Sequence, residues 1–180
     1  MDELMVVLPG FRIRYTGAIA LFFSKSDWNR QIAEPSWAAP MLMWKHDFRP
    51  IHFTHRGFTQ YGYTPRKGQD LPRNSKEFWR SYFGRKLTEM KHSLPLVYTG
   101  ELRDKSDQGH IRATSTSGKY VMPGARKANW RAKGSDVHMA DELTKVIPSE
   151  KRAMVRAMDR EMVKRLRGAK NMIQRTIGGI

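Results

Sequence analysis

Ser149-Glu150-Lys151-Arg152-Ala153-Met154-Val155-Arg156-Ala157-Met158-Asp159-Arg160-Glu161-Met162-Val163-Lys164-Arg165-Leu166-Arg167 is the stretch that decides the fold. Met154, Met158, Met162 and Leu166 recur every four residues, and Val155 widens the face they make. Arg152, Arg156, Arg160, Lys164 and Arg167 fall on the opposite side at helical spacing. That pattern predicts an amphipathic helix, capped by Ser149 behind Pro148 and running to about Arg167 or beyond. A shorter helix is expected before it, from an Asp136 cap through Val137, Ala140 and Leu143 to Val146-Ile147.

Upstream of this helical pair the period changes from four to two. Ile111–Thr116 and Lys119–Met122 are short β-like runs split by Ser117-Gly118, the chemistry of a hairpin. Leu96–Thr99 reads as a further strand, and Phe11-Arg12-Ile13-Arg14-Tyr15 alternates as a half-buried strand does. Between them, Asn74 or Ser75 caps a central helix carrying Phe78, Trp79, Tyr82, Phe83, Leu87 and Met90 on one broad face. Arg80, Arg85, Lys86 and Lys91 then project elsewhere. Pro35 and Pro40 bracket Ser36–Ala39, so a short helix is expected only from Met41 to Phe48, ending before Pro50. Residues 49–75, with Pro50, Pro65 and Pro72 among aromatics and basic side chains, read as a long irregular arm or loop that packs on something.

The class that follows is α+β: a small antiparallel sheet with a central helix, C-terminal helices and an extended arm, in a single domain. Residues 1–44 are expected as an N-terminal arm or strand-containing segment, 45–175 as the main α+β domain and 176–180 as a flexible tail.

Composition narrows the partners. The 180 residues carry 33 Lys+Arg against 17 Asp+Glu, a net charge of +16. Such a surplus favours polyanions, or acidic faces of the protein's own assembly. There are no cysteines, which removes disulfides, thiolate metal sites and thiol catalysis together. Met1-Asp2-Glu3 lacks the positive start of a secretory signal, and the longest apolar run, Ala18–Phe23, is far short of a membrane span. The hydrophobic fraction of 39% is modest, which leaves room for surfaces completed by other subunits.

No catalytic constellation emerges. His52-x-x-His55, with His46 nearby, lies in a Pro-flanked loop and lacks the glutamate of the zinc-protease pattern. Asp104 and Asp107 sit among basic residues, and Asp136 with Asp141-Glu142 is explained by a helix start. No Gly-x-Ser-x-Gly elbow or Gly-Lys-Ser/Thr phosphate loop is present. No catalytic residue, cofactor or metal ligand is therefore assigned.

Two surfaces remain. Arg152, Arg156, Arg160, Lys164 and Arg167 either track a phosphate backbone or form a solvated helix face. The loop aromatics Phe53, Phe58, Tyr61 and Tyr63, with Arg66, either stack on single-stranded bases or bury against another subunit, the preferred reading. Met154, Met158 and Met162 suit a core or a subunit interface.

Segments flanking the central helix carry a resemblance. The residues are His52-Phe53-Thr54, Tyr61-Gly62-Tyr63-x-Pro65-Arg66, Pro95-Leu96-Val97-x-Thr99-Gly100-x-Leu102-Arg103, Ala113-Thr114, Met122-Pro123 and Asp141-Glu142-Leu143. Together they resemble the tail-completion, or neck, proteins of tailed bacteriophages, over roughly residues 45–165. The resemblance implies a small α+β subunit that closes into a homo-oligomeric ring around the DNA channel, without cofactor or catalysis. It implies contacts with portal or adaptor protein on one side and tail proteins on the other, with double-stranded DNA passing and no membrane. Its implied location is the virion neck, after synthesis in the host bacterial cytoplasm. In that setting the basic residues of the last helix face the channel or nucleic acid, and the aromatic and methionine sets join subunits. A general basic nucleic-acid-binding protein is the alternative.

Overall fold

The computed structural model describes residues 4–7, 24–123, 128–129 and 136–177, with side chains over 24–123, 128–129 and 136–169. The expected strand at Phe11–Tyr15, the segment 17–23 and the tail from 178 lie outside the described residues. The fold is α+β, and the chain divides into two compact units, each made of separated segments.

The second unit, residues 5–46, 110–121 and 147–180, is built on a helical run that the prolines had argued against. Ser24 caps α1 (Lys25–Trp28) by accepting from the Asp27 N–H at 3.1 Å. A π turn, Asn29–Ala33, then leads into α2 (Glu34–Met43), and a second π turn follows, Trp44–Phe48. Pro35 sits in the first turn of α2, where its missing N–H does least harm. Its absent hydrogen bond would have gone to the Gln31 carbonyl in α geometry. Arg165 of the C-terminal helix α8 (Pro148–Ile177) supplies the replacement, its Nη1 donating to that carbonyl at 3.2 Å. The segment 24–44, expected as part of an arm, is thereby a core helix: Trp28, Ile32, Ala33, Trp37, Met41 and Trp44 are all buried.

The long helix α8 (Pro148–Ile177), about 45 Å at 1.5 Å per residue, packs along α2. Met154 and Met158 are buried, and Met162 and Leu166 pack against Trp28, Ile32 and Ala33. The methionine seam proposed as a subunit interface is therefore core of the same chain. Its four-residue spacing is satisfied by the N-terminal helix, whose existence the prolines concealed.

The sheet has the order β1-β3-β2, with β1 Leu4–Val7, β2 His110–Ala113 and β3 Gly118–Met122. β2 and β3 are antiparallel, pairing Ile111 with Tyr120 and Ala113 with Gly118. The hairpin was expected, but its turn is Thr114–Ser117, closed by the Thr114 N–H donating to the Ser117 carbonyl at 2.8 Å. Gly118 belongs to the strand, and a Cβ there would lie 2.2 Å from the Trp37 carbonyl oxygen. Close approach to α2, and not a turn, requires that glycine. Tyr120 fills the same core, its ring 5.2 Å from Trp44.

The first unit comprises residues 1–4, 47–109 and 122–146. A 3-10 turn (Arg49–Phe53) leads to α3 (His55–Gln60), capped by Thr54, whose Oγ accepts from the Gly57 N–H at 3.1 Å. The expected central helix is two helices, α4 (Lys76–Arg80) and α5 (Tyr82–Met90). Ser75 caps the first, as expected, accepting from the Phe78 N–H at 3.1 Å. Ser81 adopts an extended conformation between them and caps the second, accepting from the Gly84 N–H at 3.1 Å. The break rotates the two faces against each other. Trp79, expected inside, is 50% exposed, and Lys86, expected outside, is 3% exposed.

Leu96–Thr99 is not a strand. It is a corner in which Leu96 takes a left-handed φ of 53° with Leu96 and Val97 buried. Gly100, at φ 88°, then opens α6 (Glu101–Asp107). The helix expected after Asp136 is one short piece, α7 (Met139–Leu143).

Two substitutions test the second unit. Gly118→Ala is expected to lower the unfolding free energy by about 1–3 kcal/mol, the usual cost of overpacking. Arg165→Met, which leaves the Gln31 carbonyl without its guanidinium, is expected to cost about 1 kcal/mol. Urea titration of both variants checks these values.

Candidate functional site

In the first unit the stretch from His52 to Arg66 is not an open loop. Its polar groups close on one carboxylate, Glu142 of α7. Thr64 donates its backbone N–H to Oε1 at 3.1 Å. Arg66 makes a two-pronged pair, Nη1 to Oε1 at 2.9 Å and Nη2 to Oε2 at 2.5 Å. The Arg66 and Glu142 side chains are 12% and 10% exposed, so the pair is largely out of water. Glu142, read from sequence as a helix-start acid, does lie in the first turn of α7 and is also the anchor of this stretch.

The aromatics of the stretch form a stack inside the unit. The His52 ring lies 3.8 Å from that of Tyr61 at 6°, and its Nδ1 is 2.5 Å from the Tyr63 hydroxyl. Phe58 meets Tyr63 edge-on at 6.2 Å. Phe53, Tyr61 and Tyr63 are buried, and Phe58 is half-buried. This corrects the interface assignment of Phe53, Tyr61, Tyr63 and Arg66: their partners are within their own chain. Gly57 permits the packing, since a Cβ there would sit 2.1 Å from the Ile51 carbonyl oxygen.

His52 and His55 do not converge. His52 points into the stack, whereas His55 is exposed with its Nε2 3.3 Å from the Ser93 hydroxyl. Among the described residues no three metal-ligating side chains gather. Burial pushes the His52 imidazole from the ordinary 6.5 down to about 4, against a backbone hydrogen bond with Glu142 that opposes the shift.

Two clefts flank Arg66 and Lys86, which line both. The smaller, about 230 Å3, is walled by His55, Phe58, Thr59, Phe83 and Ser93 among others. The larger, about 400 Å3, is walled by Tyr82, Leu96, Tyr98, Leu102 and Met139, with Thr99 and Glu101. Lys86 donates to the Leu94 carbonyl. Burial, with the Arg66 charge beside it, lowers its ammonium from 10.5 to about 8. Tyr82 is pushed up by burial, an effect Arg66 opposes, and Tyr98 is pushed up by its hydrogen bond to Glu89.

The second unit carries the other sequence-derived site. Arg152, Arg156, Arg160, Lys164 and Arg167 are exposed along α8 and extend over about 22 Å. Lys164 has Glu161 at 3.7 Å, whereas among the described residues Arg152, Arg156, Arg160 and Arg167 are in no ion pair. The helix face assigned to nucleic acid is thus open to solvent.

No protein-family model matches this chain, and neither the curated proteins nor the solved structures yield a match. Among the described residues no helix is long and apolar enough to cross a membrane.

The two shifted basic groups, His52 and Lys86, give stability a signed pH dependence. As the pH falls below 6.5, the unfolded chain takes up a proton at His52 before the folded chain does. The stability tied to His52 is complete above that pH and is lost as the pH falls through about 4, on the order of 3 kcal/mol in total. Lys86 acts in the same sense at the other end, so stability rises between about 8 and 10.5. Denaturant unfolding across the pH range checks both: His52→Gln is expected to flatten the acid limb and Lys86→Met the alkaline limb.

Proposed function

We propose that this chain is a structural subunit of the head-to-tail connector of a tailed bacteriophage. It assembles as a ring and joins the portal or adaptor side to the tail around the DNA channel. The observation that supports this most directly is the division of labour on α8. Its methionine face is taken up by the chain's own core, and its basic face is left exposed. A row of solvated cations of that length suits the sequence-independent backbone of passing double-stranded DNA. In the segment Pro95–Arg103, which holds the most specific part of the resemblance, Leu96 and Val97 are buried and Gly100 makes the turn into α6.

With the aromatic and methionine sets internal, contacts between copies fall to other side chains. Among the described residues Leu42, Leu71, Trp79, Tyr82 and Val163 are the large apolar residues that stay exposed, and Trp79 is the largest of them. The same basic row supports a second reading, a general nucleic-acid-binding protein acting without a ring.

Two measurements separate these readings. The native mass of the purified chain at high concentration is expected to be a closed multiple, and Trp79→Asp is expected to reduce it. A compact monomer would count against the connector. In a salt titration of duplex DNA binding, changing Arg152, Arg156 and Arg160 to Ala is expected to make the slope shallower by about 2–3. An unchanged slope rejects the role given to these residues under either reading.

A further inference from the structure

We propose that the larger cleft of the first unit binds a small organic carboxylate with an apolar body. The inference stands on the cleft and not on the connector reading.

Its chemistry is divided in the way such a ligand needs. Tyr82, Leu96, Tyr98, Leu102 and Met139 supply an apolar and aromatic wall, and about 400 Å3 falls within the range of small-ligand sites. Lys86 and Arg66 supply positive charge. The two cations differ in their state. Arg66 is already matched by Glu142, with both terminal guanidinium nitrogens engaged. Lys86 is 3% exposed, yet its acceptor is the neutral Leu94 carbonyl. Among the described residues no carboxylate pairs with it.

A buried ammonium without a counter-charge is costly, and its cost is relieved when an anion arrives. Only part of its donor capacity is used by one carbonyl, since an ammonium carries three N–H groups. Glu101, the carboxylate lining the cleft, is held by Lys105 at 2.9 Å on the helix surface and does not neutralise Lys86. Leu96 contributes to the wall from a left-handed backbone, φ 53°. A branched side chain pays strain to stand there, a state that clusters at ligand sites. A carboxylate oxygen seated against Lys86, with its apolar body against Leu96, Leu102 and the two tyrosines, satisfies both halves of the cleft.

The test uses the full chain and 3-phenylpropionate as probe, followed by calorimetry or by shifts of the Tyr82 and Tyr98 ring signals. Saturable one-site binding is expected in the millimolar range or tighter. The uncharged 3-phenylpropionamide is expected to bind at least tenfold more weakly, a comparison that needs no variant. Lys86→Met, of similar length and without charge, is expected to lose binding at least tenfold while its circular dichroism stays that of the wild type. Absence of saturation by about 20 mM, equal binding of acid and amide, or undiminished binding by the folded Lys86→Met protein each overturns the proposal.

Discussion

The first unit depends on a carboxylate that has been taken out of water. Glu142 sits in a short helix, and its two oxygens hold Thr64 and Arg66, which lie far from it in sequence. Losing one partner of such a pair typically costs about 3–5 kcal/mol, because the remaining charge stays buried. That penalty gives a proline- and glycine-rich stretch one conformation where local propensity would allow many. The aromatic stack of His52, Tyr61 and Tyr63 builds on the same stretch, and burial keeps the imidazole neutral near pH 7. Arg66, held at this point, also becomes a wall of both clefts. One ion pair thus sets the course of the chain and the charge of the cavity beside it.

The long helix of the second unit was legible from its four-residue repeat as far as about Arg167, though it begins at Pro148, ahead of the expected Ser149 cap, and runs on to Ile177. The hairpin and the Ser75 cap were legible for the same reason: short-range chemistry decides them. The N-terminal helix was not. Pro35 and Pro40 break an α-helix when the freed carbonyl stays unsatisfied, and here a guanidinium from a residue 134 positions downstream satisfies Gln31. No local rule can see that donor. Leu96–Thr99 misled for a different reason. A short apolar run signals burial, and burial was correct, but a corner can bury leucine and valine as well as a strand can.

The candidate sites divide along the same line. The basic row on α8 followed from periodicity and is exposed as expected. The aromatic set was correctly read as seeking cover, yet composition could not say that the cover was Glu142's own neighbourhood. Lys86 was placed on the polar side by counting through a helix that stops at Ser81. Beyond the break Phe83, Leu87 and Met90 stay half-buried and Arg85 exposed, but Lys86 turns inward, so the most unusual cation of the first unit was also the least visible.

Gly118 has a consequence for strand alignment. The sheet rests on the Trp37 carbonyl at the one position that lacks a side chain. Sliding the central strand by a single step would bring Ser117 or Lys119 to that point, and either carries a Cβ that the gap does not admit. The contact therefore works as a keyway, rejecting misaligned pairings by steric exclusion. The Thr114–Ser117 bend, with Thr114 and Thr116 exposed, is the part of this hairpin where the key is not engaged.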